Sequence, residues 1–228
     1  MFFRITNKLI DFLSGFVSER RLSIIDKVIE NRTSYVTVLL EDISHAQNAN
    51  AVLRTCECMG LQDIHIIENL NQYYYSKGVA MGAGKWVNFH KYNKHENNSL
   101  EAINTLKSSG YRIVATARGG NCIPLQDFDV TKGKFAIVLG TEQEGISETV
   151  RKHADELITI PMYGFTESFN LSVSNAIILH HLIEKLRSSD VEWQFSDDEK
   201  TKLKLQWLRL AIKKSDLLIQ KFNETFTG

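Results

Sequence analysis

The spacing of hydrophobic positions changes twice along the chain. Residues 4 to 31 repeat at helical spacing, with Leu22, Ile25 and Ile29 about one turn apart. From Tyr35 onward, short apolar runs alternate with helical segments, and after residue 187 an acidic stretch precedes one more helical pattern. We therefore predict a helical extension over residues 1–34, a central domain over 35–187, and a linker with a basic helix over 188–228.

The central region alternates strands and helices. Predicted strands are Val36–Leu40, Asp63–Ile67, Trp86–His90, Tyr111–Ala117, Phe135–Leu139 and Leu157–Ile160. Predicted helices are Gln47–Met59, Ser99–Ser109, Ser147–His153 and Leu171–Leu186. Such alternation predicts an α/β fold with a largely parallel sheet that helices cover on both faces.

The C-terminal segment separates its charges into two blocks. Residues 190–199 hold five acids and no base, whereas residues 200–228 hold seven bases. We predict one long helix here, whose docking side consists of Leu203, Trp207, Leu210 and Leu217. A basic stripe would run beside that side, formed by Lys202, Gln206, Arg209, Lys213 and Gln220. The segment is too short to fold alone, so we expect it to pack on another part of the protein.

Composition narrows the class of protein. The 27 basic and 27 acidic residues cancel, which argues against indiscriminate nucleic-acid binding. Three cysteines, Cys56, Cys58 and Cys122, form neither a disulfide framework nor a zinc spacing, so we expect reduced thiols and no metal. Arg4, Lys8 and Asp11 interrupt the apolar N-terminus at helical spacing, which predicts an amphipathic helix and not a signal peptide. With no apolar run long enough to span a membrane, we expect a soluble, cytoplasmic protein.

Candidate chemistry lies at the carboxyl ends of two late strands. The first strand runs into Glu41–His45 without a glycine-rich turn, which disfavours a dinucleotide site and hence a small-molecule dehydrogenase. Residues 139–147 and 160–170 are instead turns dense with glycine and polar residues, and two such loops side by side predict a ligand pocket. Two simpler interpretations remain open: Gly140 and Gly145 serve only tight turns, and Asn170 serves only as a helix cap.

A third polar segment, 48–55, opens the first helix of the central region. Val52, Cys56 and Met59 mark its buried face, which leaves Asn50 and Arg54 on a neighbouring face. Taken alone, such an arginine is typical of a surface salt bridge.

The three segments occur in an order that changes this interpretation. They read Asn48-x5-Arg54-Thr55, then Leu139-Gly140-x-Glu142-x2-Gly145-Ile146-Ser147, then Ile160-Pro161-Met162-x-Gly164-x3-Ser168-x-Asn170-x-Ser172-Val173. This order resembles the SpoU branch of the SPOUT RNA methyltransferases. The resemblance extends to residues 37–41 and 84–87 and, more loosely, to the terminal helices. In these flanking regions it is strongest for members that methylate guanosine 18 of tRNA.

The resemblance implies a fold, a cofactor and a set of site residues. It implies a deep trefoil knot that threads the 160–170 loop, a homodimer, and S-adenosylmethionine as methyl donor. The cofactor contacts that it implies are Thr116, Gly140, Ile160 and Phe169. Phe169 stands where relatives commonly carry Leu, an exchange that keeps an apolar wall and adds volume. The resemblance also implies that Arg54 is the catalytic arginine. Two roles remain open for it: it accepts the hydroxyl proton with help from the RNA phosphate, or it orients the hydroxyl and stabilises the developing alkoxide. The supporting residues that the resemblance implies are Asn48, Glu142, Ser168 and Asn170.

The implied reaction is 2'-O-methylation of a ribose in RNA. Ribosomal members often carry a separate RNA-binding domain before the catalytic one, and the short segment before residue 35 favours tRNA as substrate. Ribosomal RNA remains the alternative, as does a non-catalytic RNA-binding module, against which the presence of Arg54 argues. Candidate contacts to the RNA backbone are Lys202, Arg209 and Lys213 of the tail and Arg20 and Arg21 of the N-terminal extension.

Overall fold

The computed structural model describes residues 2–226, with side chains for 6–225. Within it the chain forms two compact units. One is Thr33–Trp193, and the other combines the residues up to Arg32 with those from Gln194 onward. The two ends of the chain thus fold together as one helical unit.

The larger unit contains a seven-stranded sheet. Its strands are β1 (Val36–Glu41), β2 (Asp63–Ile67), β3 (Asn88–Tyr92), β4 (Arg112–Thr116), β5 (Ile123–Pro124), β6 (Phe135–Leu139) and β7 (Glu156–Thr159). All neighbours pair in parallel, in the order β3-β2-β1-β6-β4-β7-β5. The predicted α/β fold with a parallel sheet is confirmed, and the knotted threading stays a prediction.

Helices cover both faces of this sheet. They are α3 (Ala46–Cys58), α4 (Lys77–Ala80), α5 (Ser99–Ser108), α6 (Glu148–His153) and α7 (Leu171–Arg187). Alternate residues of β1 and β6 enter two separate cores, one with α3 and α7 and the other with α5 and α6. Because both faces of these strands are buried, β6 is a continuous apolar run and β1 is interrupted only by Thr37 and Glu41.

Two strands differ from the sequence prediction by more than one residue. The third begins two residues later than predicted, at Asn88, because Trp86 closes the short 3-10 turn Ala83–Lys85 by donating its backbone N–H to Ala83. The strand β5 was not predicted, since two residues are too few to show any alternation.

The terminal unit contains four helices: α1 (Phe2–Ser14), α2 (Glu19–Ile29), α8 (Asp197–Ala211) and α9 (Ser215–Phe226). Its N-terminal pair was predicted, although the side chains of residues 1–5, including Arg4, lie outside the described residues. In α8, Leu203 and Trp207 are buried as expected, and the Arg32 guanidinium lies 5.1 Å from the Trp207 ring. The tail therefore packs on the N-terminal helices.

The predicted single tail helix is wrong. The chain is extended at Ile212, and Lys214 adopts a φ of 59°, so the helical phase ends at Ala211 and restarts at Ser215. As a result Leu210 and Leu217 are exposed, while Leu208 and Phe222 are buried in their place. The break also interrupts the predicted basic stripe, because Lys213 lies beyond the end of α8.

Two histidines stack across neighbouring strands at one edge of the sheet, His65 on β2 and His90 on the edge strand β3. The rings of His65 and His90 lie 4.5 Å apart at 16°, and His90 Nε2 lies 2.8 Å from a carboxylate oxygen of Asp63. Burial, together with the nearby His90, lowers the pKa of His65 to about 4. His65 is therefore neutral in the folded protein at neutral pH.

We expect the protein to lose stability between pH 6.5 and pH 4. In this range the unfolded chain binds a proton at His65 that the folded protein does not bind. The free energy of unfolding therefore decreases as the pH is lowered. A pKa shift from 6.5 to about 4 corresponds to roughly 3 kcal/mol at most. Urea unfolding across this range should show a smaller loss for His65→Asn and an unchanged loss for His95→Asn, an exposed control. Equal losses in the wild type and His65→Asn would contradict this assignment.

Candidate active site

A cleft of about 550 Å³ opens where three neighbouring strands end. Thr116 is the last residue of β4, and Gly140 and Ile160 directly follow β6 and β7. All three line the cleft together with Phe169. The Thr116 hydroxyl donates to the Val138 carbonyl at 3.1 Å, which ties this wall to the sheet. The structure thus brings the four residues implied as cofactor contacts to one cavity.

The loop after β6 closes tightly on itself. Thr141 and Gly145 exchange two backbone hydrogen bonds of 2.9 and 3.0 Å. A Cβ at Gly140 would lie 2.1 Å from the Gly145 carbonyl oxygen, and Gly145 has a φ of 74°. Both glycines are therefore required by the backbone itself, which holds Glu142 at the tip of the loop.

A hydrogen-bonded chain joins three polar segments beside the cleft. Asn48 Nδ2 donates to Glu142 Oε1 at 2.6 Å, and Asn170 Nδ2 donates to Asn48 Oδ1 at 3.2 Å. Asn170 also caps α7, because its Oδ1 accepts from the backbone N–H of Ser172. The capping interpretation is therefore confirmed, and the same side chain also belongs to the hydrogen-bonded chain beside the cleft.

Two further residues at this cluster were not predicted. Ser44 Oγ donates to Glu142 Oε2 at 3.2 Å, and His45 Nδ1 lies 3.7 Å from Glu142 Oε1. Both precede α3. Their position between the end of β1 and the Asn48 segment was the sequence signal that could have placed them at the site. They add a hydroxyl and an imidazole ring to the polar rim of the cleft.

Ser168 and Arg54 stand apart from this chain of bonds. Ser168 is exposed and lines the cleft. Arg54 is exposed on α3, six residues after Asn48, and its side chain forms no hydrogen bond or ion pair with another residue in the described part of the chain. Its guanidinium is thus free to donate hydrogen bonds to a bound ligand.

The sequence placed Asn50, on the same helix, on a face next to the buried one, whereas the structure buries it. It is fully buried, and its amide nitrogen donates to the carbonyls of Ala46 and Tyr74. Its side-chain oxygen accepts from the Ser76 backbone and the Tyr73 hydroxyl. Asn50 therefore fixes the segment after β2 against α3.

A buried carboxylate fixes the far end of the cleft loop. Glu41, at the end of β1, accepts hydrogen bonds from the Ser99 hydroxyl at 2.6 Å and from the Ser147 backbone and hydroxyl at 2.8 and 2.6 Å. Ser147 is also the N-cap of α6. Three hydrogen bonds offset the cost of burying this charge, and they anchor the segment 140–147 to the central strand.

The predicted RNA contacts all lie on the surface of the terminal unit. Arg20 and Arg21 are exposed in the first turn of α2, and Lys202 is exposed on α8. Arg209 is exposed but forms an ion pair of 3.0 Å with Asp216. Lys213 is exposed in the break between the two tail helices. These cations do not form the single continuous stripe that the sequence predicted.

The described residues offer neither a metal-binding cluster nor a membrane-spanning helix. Residues 6–225 contain no cluster of three or more His, Cys, Asp or Glu side chains that could hold a metal ion. No helix among residues 2–226 is long and apolar enough to cross a membrane.

Comparison with known proteins gives consistent matches. The model of the SpoU rRNA Methylase family matches residues 35–180. A tRNA (guanosine(18)-2'-O)-methyltransferase of Borreliella burgdorferi is 41% identical over 206 residues, which cover 90% of this chain and 92% of that protein. The enzyme of the same name from Aquifex aeolicus is 31% identical over 72% of this chain and 76% of its own length.

Solved structures agree with the fold. The crystal structure of the A. aeolicus TrmH/SpoU tRNA modifying enzyme superposes with a TM-score of 0.75 at 27% identity, covering 86% of this chain and 98% of that one. The SpoU methyltransferase AviRb from Streptomyces viridochromogenes, solved with AdoMet, superposes with a TM-score of 0.58 at 21% identity, covering 72% of this chain and 62% of that one. From these matches we conclude that the chain belongs to the SpoU rRNA methylase family.

Proposed function

We propose that this protein methylates the ribose 2'-hydroxyl of guanosine 18 in tRNA, with S-adenosylmethionine as donor. The observation that carries the proposal is the near full-length similarity, at 41% identity, to a protein named for that reaction. Residues expected from the ordered motifs support it, because Asn48, Glu142 and Asn170 form one hydrogen-bonded cluster beside a cleft. A tRNA substrate would place the activity in the cytoplasm.

The cleft has the properties that a nucleoside cofactor requires. Its volume falls in the range of small-molecule sites, and it combines apolar walls at Ile160 and Phe169 with backbone polar groups at Gly140. The absent side chain at Gly140 lets the backbone of the loop approach closely, so main-chain groups can line the cavity. We assign Thr116, Gly140, Ile160 and Phe169 to cofactor binding. When bound, S-adenosylmethionine would supply an electrophilic methyl group on a sulfonium.

Arg54 is the residue that we assign to the reacting hydroxyl. A guanidinium carries a fixed positive charge and presents only N–H donors, so it acts best as a hydrogen-bond donor. We propose that it orients the ribose hydroxyl, stabilises the developing negative charge on its oxygen and holds the adjacent phosphate. As the methyl group passes from the sulfonium to this oxygen, the hydroxyl proton leaves to solvent water. Asn48, Glu142, Ser168 and Asn170 are assigned supporting roles as hydrogen-bonding groups at the cleft.

Methyl transfer to defined RNAs tests the proposal. The purified full chain is incubated with labelled S-adenosylmethionine and an unmodified tRNA transcript, and mass spectrometry maps the methylated ribose. We expect methylation at guanosine 18 and none on a tRNA with 2'-deoxyguanosine there. Methylation of ribosomal RNA alone would support the ribosomal alternative. Cofactor and tRNA binding without transfer would identify a non-catalytic module.

We further propose that the protein is a homodimer. The loop after β7 leaves Tyr163 and Phe165 almost completely exposed, and Val173 of α7 is exposed beside it. Neighbouring exposed apolar side chains favour burial against a second copy, for which two-fold symmetry is the simplest closure.

Sedimentation tests the dimer. We expect a dimer at micromolar concentration, a shift toward monomer for Tyr163→Ser combined with Phe165→Ser, and no shift for Leu100→Ser on α5. A fully active wild-type monomer would contradict the proposal.

The exposed cations of the terminal unit are proposed as sequence-independent tRNA contacts. Each phosphate contact contributes about 0.7 to 0.9 to the slope of log affinity against log salt. Replacing Lys202, Arg209 and Lys213 by Gln should therefore weaken tRNA binding and flatten the slope by about 2, with cofactor binding intact. The same test applies to Arg20 and Arg21. An unchanged slope would assign these side chains to solvent.

A further inference from the structure

A long segment after β2 carries positive charge without any acid. Between Glu68 and Glu96 the sequence has four lysines and no Asp or Glu, in a chain whose total charge is zero. Lys91 pairs with Glu68 at 2.6 Å, whereas Lys77 and Lys85 are exposed and form no ion pair with a described residue. The segment is therefore a local cationic surface.

This segment runs along the helix that carries Arg54. The buried Asn50 holds its start through the backbone of Tyr74 and Ser76. It then packs against α3 through α4 and through the 3-10 turn Ala83–Lys85. Because Arg54 follows Asn50 by one helical turn, the two lysines and Arg54 belong to the same region of the domain.

Aromatic rings are exposed on the same segment. Tyr74 is 65% exposed, and among the described residues its hydroxyl donates to Gln72 of the same segment alone, at 2.7 Å. Tyr75 is 40% exposed and its ring lies against Gly84, where an added Cβ would come within 2.5 Å of it. Tyr75 is thus held in place by its neighbours, whereas Tyr74 projects into solvent. We call the surface formed by these two tyrosines with Lys77 and Lys85 the tyrosine–lysine surface.

We propose that the tyrosine–lysine surface binds unstacked nucleotides of the tRNA next to the methylated ribose. Tyr74 would stack on a base, and Lys77 and Lys85 would hold flanking phosphates. Exposed aromatic rings interleaved with cations are the usual means of binding unpaired nucleotides. Two lysines without acidic partners favour a polyanion over a second protein copy. The proposal rests on the proposed function and adds a substrate-binding surface to it.

Binding of an unmodified tRNA transcript to the full chain tests this surface. Tyr74→Ala should raise the dissociation constant by about 5- to 100-fold, the effect of losing one base–aromatic stack. Tyr74→Phe keeps the ring and should bind like the wild type. Lys77→Gln combined with Lys85→Gln should flatten the slope of log affinity against log salt by about 1.5. Lys132→Gln, an exposed lysine before β6, is the matched control and should lower the slope far less.

The outcomes separate the two proposals. If the wild type methylates the transcript but the Tyr74 and lysine variants bind as the wild type does, the surface is overturned and the proposed function stands. If the wild type binds the transcript without methylating it and the variants weaken binding, the surface stands and the function falls. Unchanged tRNA binding with a shift from dimer to monomer would assign the surface to a second copy. A wild type that binds no tRNA overturns both.

Discussion

Replacing Arg54 by Ala is expected to reduce kcat for tRNA methylation by about 10²- to 10³-fold, the usual effect of removing one donor to a developing negative charge. Affinity for S-adenosylmethionine should stay within about twofold of the wild type, because Arg54 is not among the residues that line the cleft. Folding should also be unaffected, since this side chain is exposed and pairs with no described residue. The combination of lost turnover and retained cofactor binding distinguishes a catalytic arginine from a structural one.

Single-turnover methylation and calorimetric titration of the cofactor measure the two effects separately. Arg54→Lys is the matched variant, because it keeps the charge and loses the planar fork of donors. We expect Arg54→Lys to bind tRNA more tightly than Arg54→Ala does, but to recover little of the wild-type methylation rate. A variant Arg54→Ala that keeps more than a tenth of the wild-type rate would remove Arg54 from catalysis.

The sheet was predictable where local sequence determined it. The strands β1 and β6 are apolar at every position or nearly so because helices cover both of their faces, and their bounds were predicted to within one residue. The shift of β3 came from a backbone turn at Trp86 that leaves no trace in hydrophobic spacing. In the tail, the pattern showed apolar positions but not the break at Lys214, whose positive φ is unusual for a lysine.

The site was predictable in part for a similar reason. Polar and glycine-rich turns after consecutive strands of a parallel sheet must meet at one edge, which brings Gly140 and Ile160 to a common cleft. The roles of Glu41 and Asn50 depend on partners that lie far away in the sequence. Ser147 is 106 residues from Glu41, and Tyr74 is 24 residues from Asn50. No local pattern specifies such hydrogen bonds, because only the folded chain brings the partners together.

Gly140→Ala should weaken S-adenosylmethionine binding by tenfold or more. The added Cβ would lie 2.1 Å from the Gly145 carbonyl oxygen and 2.3 Å from the Ile146 nitrogen, which are backbone atoms in a loop closed by two hydrogen bonds. Glu41 anchors that loop through Ser147, so it cannot yield without strain elsewhere. Overpacking of this kind typically costs about 1–3 kcal/mol of folding stability.

Two other glycine substitutions separate this clash from simpler effects. Gly145→Ala meets no atom within 4 Å but forces alanine to a φ of 74°, a conformation that costs about 1–2 kcal/mol. Gly164→Ala meets neither a clash nor a positive φ. Urea unfolding should therefore rank Gly164→Ala as neutral and the other two as destabilised, while calorimetry should show the largest loss of cofactor affinity for Gly140→Ala. Wild-type cofactor affinity in Gly140→Ala would mean that the loop 140–147 does not form the cofactor site, because the clash cannot be relieved without moving its backbone.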